Sequence, residues 1–419
     1  MRIATVPAVL LTFLLCCVLA ETAWALPGDI DDSGRIDIAD LTAFSRAFGT
    51  SQGEEHWNDN ADLDRNGTVD DGDLAILAQY FGRTGLSQGV WVADRNNNAV
   101  VRLGSKEGGE VIRLPDFQAP ESVSLDSSSG VLWVADRGNA EVVKFSADGT
   151  QVLARVVGFS DPSLVAVNMS TSACWVADRG VGQIYRLAED ISDGYDVTTD
   201  TASHRSVNGF DVNTLTALAV DPVRGNLWAG SSADLVARID VDAADGYDIS
   251  TDTGSHTAKD GFSNPLGLSV DLVTGDCWVA DQGLRQILVL SRGSLSKLSE
   301  ITDFNGPNGL SVNSVDGTCW VADGANLLRL GDLGNTELLR LDGFSNLFAV
   351  HADTCTGGCW VPERGGMDAV IKIAPGGQEL LRSEGFFDPV SLTLTLGETI
   401  GTAPTASAAA DKESAALDE

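Results

Sequence analysis

Two stretches near the start of the chain carry oxygen-bearing side chains at intervals that suit a hard divalent cation. Residues 29–40 read DIDDSGRIDIAD, and residues 62–73 read DLDRNGTVDDGD. A twelve-residue calcium loop draws ligands from positions 1, 3, 5, 7, 9 and 12, position 7 through its carbonyl, and turns sharply at a glycine in position 6. The first stretch supplies Asp29, Asp31, Ser33, the carbonyl of Arg35, Asp37 and Asp40. The second supplies Asp62, Asp64, Asn66, the carbonyl of Thr68, Asp70 and Asp73. Gly34 and Gly67 fall at the turn, and Ile36 and Val69 take the apolar eighth position expected to pair the loops. The spacing predicts two bound calcium ions. An aspartate-rich turn that mimics it by chance would not fit every ligand position twice.

The elements that must position these ligands follow directly. Each loop runs into an amphipathic segment stopped by glycine, DLTAFSRAFG (40–49) and DLAILAQYFG (73–82), which predicts a helix after each loop. Position 12 is Asp rather than Glu in both loops, and no full helix pattern precedes either one. Over about residues 27–84 this duplicated pattern closely resembles a type I dockerin. The resemblance implies a calcium-dependent module that plugs into a cohesin-like domain of a scaffold or surface protein. Positions 10 and 11, where that family reads its partner, are Ile38-Ala39 and Asp71-Gly72. They differ between the halves and are not the Ser/Thr pairs of cellulosomal dockerins. Docking to a cohesin-like partner and a calcium staple that stabilises a small domain therefore both stay open.

Past Gly85 one phrase recurs: VWVADRNNNAVVRL, LWVADRGNAEVVKF, CWVADRGVGQIYRL, LWAGSSADLVARI, CWVADQGLRQILVL, CWVADGANLLRL and CWVPERGGMDAVIKI. Trp91, Trp133, Trp175, Trp228, Trp278, Trp320 and Trp360 mark a period near 40 residues, with alternating apolar positions and no helical signal. That is the mark of propeller blades. A fuller unit, FSNPLGLSVDLVTGDCWVADQGLRQILVL (262–290), divides into strands LGLSVD, CWVAD and QILVL, with SKLSEIT as a weaker outer strand. The repeat resembles the NHL family of β-propellers across 89–397. Inner strands ESVSLD, SLVAVN, TALAVD, LGLSVD, NGLSVN, LFAVHAD and VSLTLTL also number seven. The first tryptophan strand lacks an inner partner and the last inner strand lacks a tryptophan, so the two should pair. The expected fold is mainly β, a seven-bladed β-propeller closed by its C-terminal strand, behind a small α-helical EF-hand-like module.

In an up-and-down blade the A-D-R-G hairpins and the Phe-x-x-Pro entry turns share a face. Asp94, Asp136, Asp178, Asp281 and Asp323 recur there, with Arg95, Arg137 and Arg179 beside three of them. Each Asp is expected to tie down its own turn. The alternative is a charged ring that binds a polar or saccharide ligand. Blades 3 and 4 carry similar insertions, SDGYDVTTDTASHRSVNGF (192–210) and ADGYDISTDTGSHTAKDGF (244–262), between their third and fourth strands. Their single His204 and His256 make a poor transition-metal site, and a solvated duplicated loop is expected.

Signals for catalysis are sparse. Two G-x-S-x-G matches, GTSQG (49–53) and GLSQG (85–89), each follow a helix pattern, whereas a hydrolase nucleophile sits between a strand and a following helix. The four histidines, His56, His204, His256 and His351, form no Ser-His-acid set and no multi-histidine metal set, so no catalytic residue is assigned. Lactonase propellers, which resemble this repeat in fold, hold a central calcium with Glu, Asn and Asp at the inner-strand entrances. Glu121, Asn264, Asn308 and Asp388 stand near such entrances, which keeps a lactonase-like hydrolase or a lyase as the competing reading.

The compartment is read from the first 25 residues, where Arg2 precedes the apolar run VPAVLLTFLLCCVLA and an Ala23-Trp24-Ala25 cleavage pattern. This is a signal peptide, too short for a stable membrane anchor, so a secreted or extracellular protein cleaved near Leu26 is expected. Lys and Arg number 27 against 60 Asp and Glu, a net charge of −33 that repels nucleic acid and anionic membranes and attracts divalent cations. Cys174, Cys277, Cys319 and Cys359 each precede a repeat tryptophan and should be buried small residues. If a bridge forms, it is Cys355–Cys359 across a tight turn. The organisation expected is a signal peptide at 1–25, the dockerin-like module at 26–84, a linker at 85–88, the propeller at 89–397 and a disordered tail at 398–419. The ligand expected for the propeller is a protein or a polysaccharide of unknown identity.

Overall fold

A computed structural model describes residues 30, 38–58, 60–63, 66–80, 89–104, 108–221, 223–354, 356–366 and 368–394. The segment read as a signal peptide, Asp29, Asp31, Ser33, Arg35, Asp37, Asp64, Gly34, Ile36, residues 85–88, Cys355 and residues 395–419 lie outside the described residues.

In the N-terminal module two helices follow the two loops, α1 (Ile38–Ala47) and α2 (Asp71–Tyr80). Both begin at the tenth loop position, two residues earlier than the sequence pattern suggests. Ile30, Phe44, Ala47, Ala61, Val69, Ile76 and Leu77 form the buried core, and Val273 from the propeller packs against it. Burying a side chain such as Phe44 or Leu77 contributes about 2 kcal/mol.

Seven sheets follow, one for each repeat tryptophan, each built on four antiparallel strands. Blade 1 holds Val90–Asp94, Ala99–Leu103 and Glu110–Leu114, and takes Pro389–Leu394 as its innermost strand. The register places Val90 opposite Leu394 and Val92 opposite Leu392, so the C-terminal strand closes the ring as expected. Blade 7 departs from the pattern, because its inner strand is reduced to His351–Ala352 and two isolated bridges of Leu347, to Gly324 and Glu363.

The tryptophan strands are buried on both faces, and all seven indoles are almost fully enclosed between blades. That is why these segments read as apolar runs rather than as strict alternation. A cation on the third strand lies directly across from most of the indoles. Lys144, Arg186, Arg329 and Lys372 stand over Trp133, Trp175, Trp320 and Trp360 at 5.2, 5.9, 5.7 and 5.1 Å from the ring centres. Cys174, Cys277, Cys319 and Cys359 are buried free thiols, and Cys355, the other member of the expected bridge, lies outside the described residues. Burial pushes all four thiols well above their ordinary pKa.

Outer strands are of two kinds. In blades 1, 2, 5, 6 and 7 the register skips one residue, Val111, Leu153, Leu298, Leu338 or Leu380, and each of these bulged residues is exposed. In four of the five an ion pair lies beside the bulge: Glu110–Arg113, Lys297–Glu300, Glu337–Arg340 and Glu379–Arg382. Bulges and charges discourage stray pairing at a sheet edge. The outer strands of blades 3 and 4, His204–Asn208 and His256–Asp260, run in smooth register.

The duplicated insertions prove to be structural, which corrects the expectation of solvated loops. Tyr195–Asp196 adds to the outer edge of blade 2 as a parallel fifth strand, and Tyr247–Asp248 does the same on blade 3. Tyr195 and Tyr247 are buried, and their hydroxyls meet Nδ1 of His204 and His256 at 2.9 and 2.8 Å. The histidines therefore brace their own insertions.

Candidate functional site

Asp62 begins the second loop, and its carboxylate accepts the N–H groups of Asn66 (3.1 Å) and Gly67 (3.0 Å). Asn66 Oδ1 accepts from the N–H and hydroxyl of Thr68 at 2.8 and 2.5 Å, and Asp70 accepts the Gly72 N–H at 2.7 Å. Gly67 has φ +86°, a left-handed conformation that lets the chain fold back at the sixth position. The twelfth residue is wholly buried in both loops: Asp73 accepts the Asp70 N–H at 2.8 Å, and Asp40 accepts the Ile30 N–H at 2.6 Å. The described loop carboxylates and amides thus hold the turn, and their oxygens are the donor type that a hard cation takes.

Pairing of the loops through Val69 takes another course. The Val69 N–H donates to Thr50 (2.9 Å) and its carbonyl accepts from Gly49 (2.8 Å), so its backbone is joined to the segment after α1. Ser51, the serine of the GTSQG match, forms a bridge to Thr68 in the same place. It is part of the loop clasp, not a nucleophile on a strand-to-helix turn.

On the propeller, the hairpin aspartates hold their own turn, as expected, where Asp178 accepts the Gly180 N–H and Asp281 the Leu284 N–H, both at 3.2 Å. They also bind a second turn. Asp178 accepts the N–H groups of Ser160 (2.8 Å) and Asp161 (2.7 Å), Asp281 those of Ser263 and Asn264, and Asp323 those of Asn305 and Gly306. These donors belong to the Phe-x-x-Pro entry turn, 17 or 18 residues earlier. Asp94 reaches Phe387 and Asp136 reaches Gln118 in the same manner, each also accepting from Asn97 or Asn139. Glu363 takes the role in blade 7 by accepting the Ser345 N–H. In blade 4 Ser231 replaces the acid and donates to the Thr214 hydroxyl. Burial pushes the Asp94 and Asp136 carboxyls above the usual range despite these donors.

The arginines beside the hairpins form a chain of charge around part of the channel mouth. Arg364 donates to Asp388 (2.5 Å), which also accepts from Arg95 (2.7 Å). Arg95 reaches both oxygens of Glu121 at 3.1 Å, Arg137 stands 4.0 Å from Glu121, and Arg137 donates to Asp161 at 2.5 Å. Burial opposes the charge on Arg95, but Glu121 and Asp388 outweigh it and hold the guanidinium above its ordinary pKa. Arg179 takes no part and donates to the Asn213 carbonyl. Elsewhere on this face one run of side chains is neutral. Asn264 donates to Gln282 (3.0 Å), Gln282 to Asn308 (2.6 Å), and Asn308 to the Leu347 carbonyl (2.9 Å).

The four side chains that suggested a central cation are therefore drawn into two separate sets. Glu121 and Asp388 share the Arg95 guanidinium, which supplies their counter-charge, while Asn264 and Asn308 share Gln282. Arg364, Asp161 and Gln282 were not singled out from the sequence, although their place beside the repeated turns was a usable signal. Phe348 and Phe387 are exposed on the same face, with Arg364 over the Phe348 ring at 4.8 Å. Guanidinium, carboxylate, amide and aromatic groups together suit a hydroxyl-rich or peptide ligand.

Comparison with known families agrees with both parts of this description. Residues 27–82 match the Dockerin type I domain, and residues 117–145, which span the entry turn and first three strands of blade 2, match the NHL repeat. No curated protein matches the chain. The chain carries a dockerin type I domain followed by an NHL-type propeller of seven blades.

Proposed function

We propose that the chain is an exported, calcium-binding two-module protein. Its dockerin module docks onto a cohesin-like partner, and its propeller mouth binds a protein or saccharide ligand. Two calcium ions are held by Asp29, Asp31, Ser33, Arg35, Asp37 and Asp40, and by Asp62, Asp64, Asn66, Thr68, Asp70 and Asp73. The observation that carries the reading is the enclosure of Asp40 and Asp73 at the twelfth position of loops inside the dockerin match. A buried carboxylate at the end of each of two acidic loops calls for a divalent counter-ion. Calcium then organises the helices, and the organised face meets the partner. The exposed Phe348 and Phe387 and the amide chain of Asn264, Gln282 and Asn308 supply stacking and hydrogen bonds for a sugar or peptide.

Calorimetry on the full chain tests this. Wild type is expected to take up calcium at micromolar concentrations, and Asp40→Ala with Asp73→Ala to weaken uptake at least about a hundredfold, roughly 2.7 kcal/mol, while the tryptophan circular dichroism of the propeller stays unchanged. Capture of a cohesin domain should require calcium and disappear with chelator. Absence of heat from the wild type would overturn the reading.

A further inference from the structure

The two fifth strands reveal a rule about which segment a blade edge accepts. On blade 2, the Gly194 N–H donates to the Arg155 carbonyl (2.9 Å) and the Val197 N–H to the Val157 carbonyl (3.0 Å). The Asp193 carboxylate accepts the Arg155 N–H at 2.9 Å. On blade 3 the contacts repeat: Gly246 to Ser206 (3.0 Å), Ile249 to Asn208 (3.1 Å), and Asp245 accepting the Ser206 N–H at 2.8 Å. The incoming sequence is Asp-Gly-Tyr-Asp followed by Val or Ile in both cases.

A glycine after each accepting strand completes the site. Gly158 and Gly209 have φ +92° and +93°, and a Cβ on either would lie 2.3 or 2.4 Å from Oδ1 of Asp196 or Asp248. The second Asp of the incoming segment thus fills the space that the missing side chain leaves. Blade 4 offers the same backbone edge, with Asp260 at the position from which Val157 and Asn208 face the second Asp of the incoming segment. Its outer strand His256–Asp260 ends in Gly261, with φ +103° and open space where a Cβ would point. Ala258, Asp260 and Gly261 are exposed, and they stand where Arg155, Val157 and Gly158 stand in blade 2. Blade 5 has only six residues between its third and fourth strands, 291–296, and so has no insertion to reach back and cover this edge. The strand has neither the bulge nor, among the described residues, the short-range ion pair that guards the other uncovered edges.

We propose that the outer edge of blade 4 binds an extended segment of Asp-Gly-Tyr-Asp chemistry from a partner protein, added as a parallel fifth strand. The first Asp accepts the Ala258 N–H, the glycine donates to the Ala258 carbonyl, and the second Asp enters the open space at Gly261. Lys259 sits opposite the aromatic residue, where Val156 faces Tyr195 and Val207 faces Tyr247, and offers a cation to an acidic, aromatic segment. A second copy of this chain is the weaker occupant, because both of its Tyr-Asp segments are already held.

A fluorescein-labelled peptide with the sequence of residues 192–201, titrated against the full chain, tests the proposal by anisotropy. Saturable binding is expected. Ala258→Pro removes the outward N–H at an edge that tolerates proline, and should weaken binding about tenfold or more with unchanged near-ultraviolet circular dichroism. Replacing the first Asp of the peptide by Ala probes the same contact without altering the protein and should have a similar effect. No binding up to about 1 mM peptide, or equal binding by wild type and Ala258→Pro, overturns the proposal. So does a concentration-dependent dimer in sedimentation that Ala258→Pro abolishes, since it assigns the edge to a second copy.

Discussion

A carboxylate enclosed at the end of a tryptophan strand has given up its water, and in this propeller the entry turn of the same blade replaces it. Asp178, almost fully buried, collects two backbone donors from that turn. Asp178→Ala would leave both donors without their acceptor inside the protein, a cost of about 2–4 kcal/mol. Urea unfolding of the variant should show that loss with an unchanged denaturant slope. Asp178→Asn, which keeps one acceptor oxygen, should lose less. The recurrence of V-A-D was plain in the sequence, but the reach of each Asp to the entry turn was not. Two turns meet on one face, and the period of the repeat does not tell that one side chain serves both. The arginine chain from Arg364 to Asp161 was hidden for the same reason, because it links residues of neighbouring repeats whose contact depends on how the blades are inclined.

Strands show where sequence pattern serves and where it fails. The tryptophan strands were legible because seven copies reinforce one another. The two-residue strands Tyr195–Asp196 and Tyr247–Asp248 were not, since so short a segment has no periodicity. Their signal lay in the duplication itself, for a merely solvated loop has no physical reason to repeat Asp-Gly-Tyr-Asp. The packing of Tyr195 among Ala154, Val156 and Phe159 explains the identity of that residue. Gly209→Val should expel the fifth strand of blade 3, because its Cβ would strike Asp248 and its φ of +93° disfavours a branched side chain. Faster hydrogen exchange at the Gly246 and Ile249 amides is expected, while the Gly194 and Val197 amides on blade 2 keep their protection. Equal exchange at all four would show that the glycine space is not what seats the strand.

For the molecule as a whole, the acidic composition and the number of blades were readable in advance, and the seam was deduced from an unmatched strand at each end of the repeat array. Among the described residues no helix is long and apolar enough to cross a membrane. The seam joins Pro389–Leu394 to Val90–Asp94, and Arg95 bonds to Asp388 across 293 positions of sequence. A chain ended at Asp388 would leave blade 1 with an uncovered inner edge and bare apolar faces at Val90, Val92 and Val100. Such a protein should bind a hydrophobic dye and unfold in more than one step, whereas the intact ring should unfold in one. The neutral run Asn264, Gln282 and Asn308 and the open edge of blade 4 were beyond the reach of pattern, since both depend on which residues of neighbouring blades meet.

The seam also sets an order of events during biosynthesis. Blade 1 emerges from the ribosome among the earliest parts of the ring, yet its innermost strand is among the last segments made. Until then it must wait with an open flank, exposed to strands of other nascent chains. The pair of helices upstream draws on later sequence where Val273 packs against its core, and is otherwise built from residues made before the ring. A ring arranged this way gains from assembling only once the whole polypeptide is present.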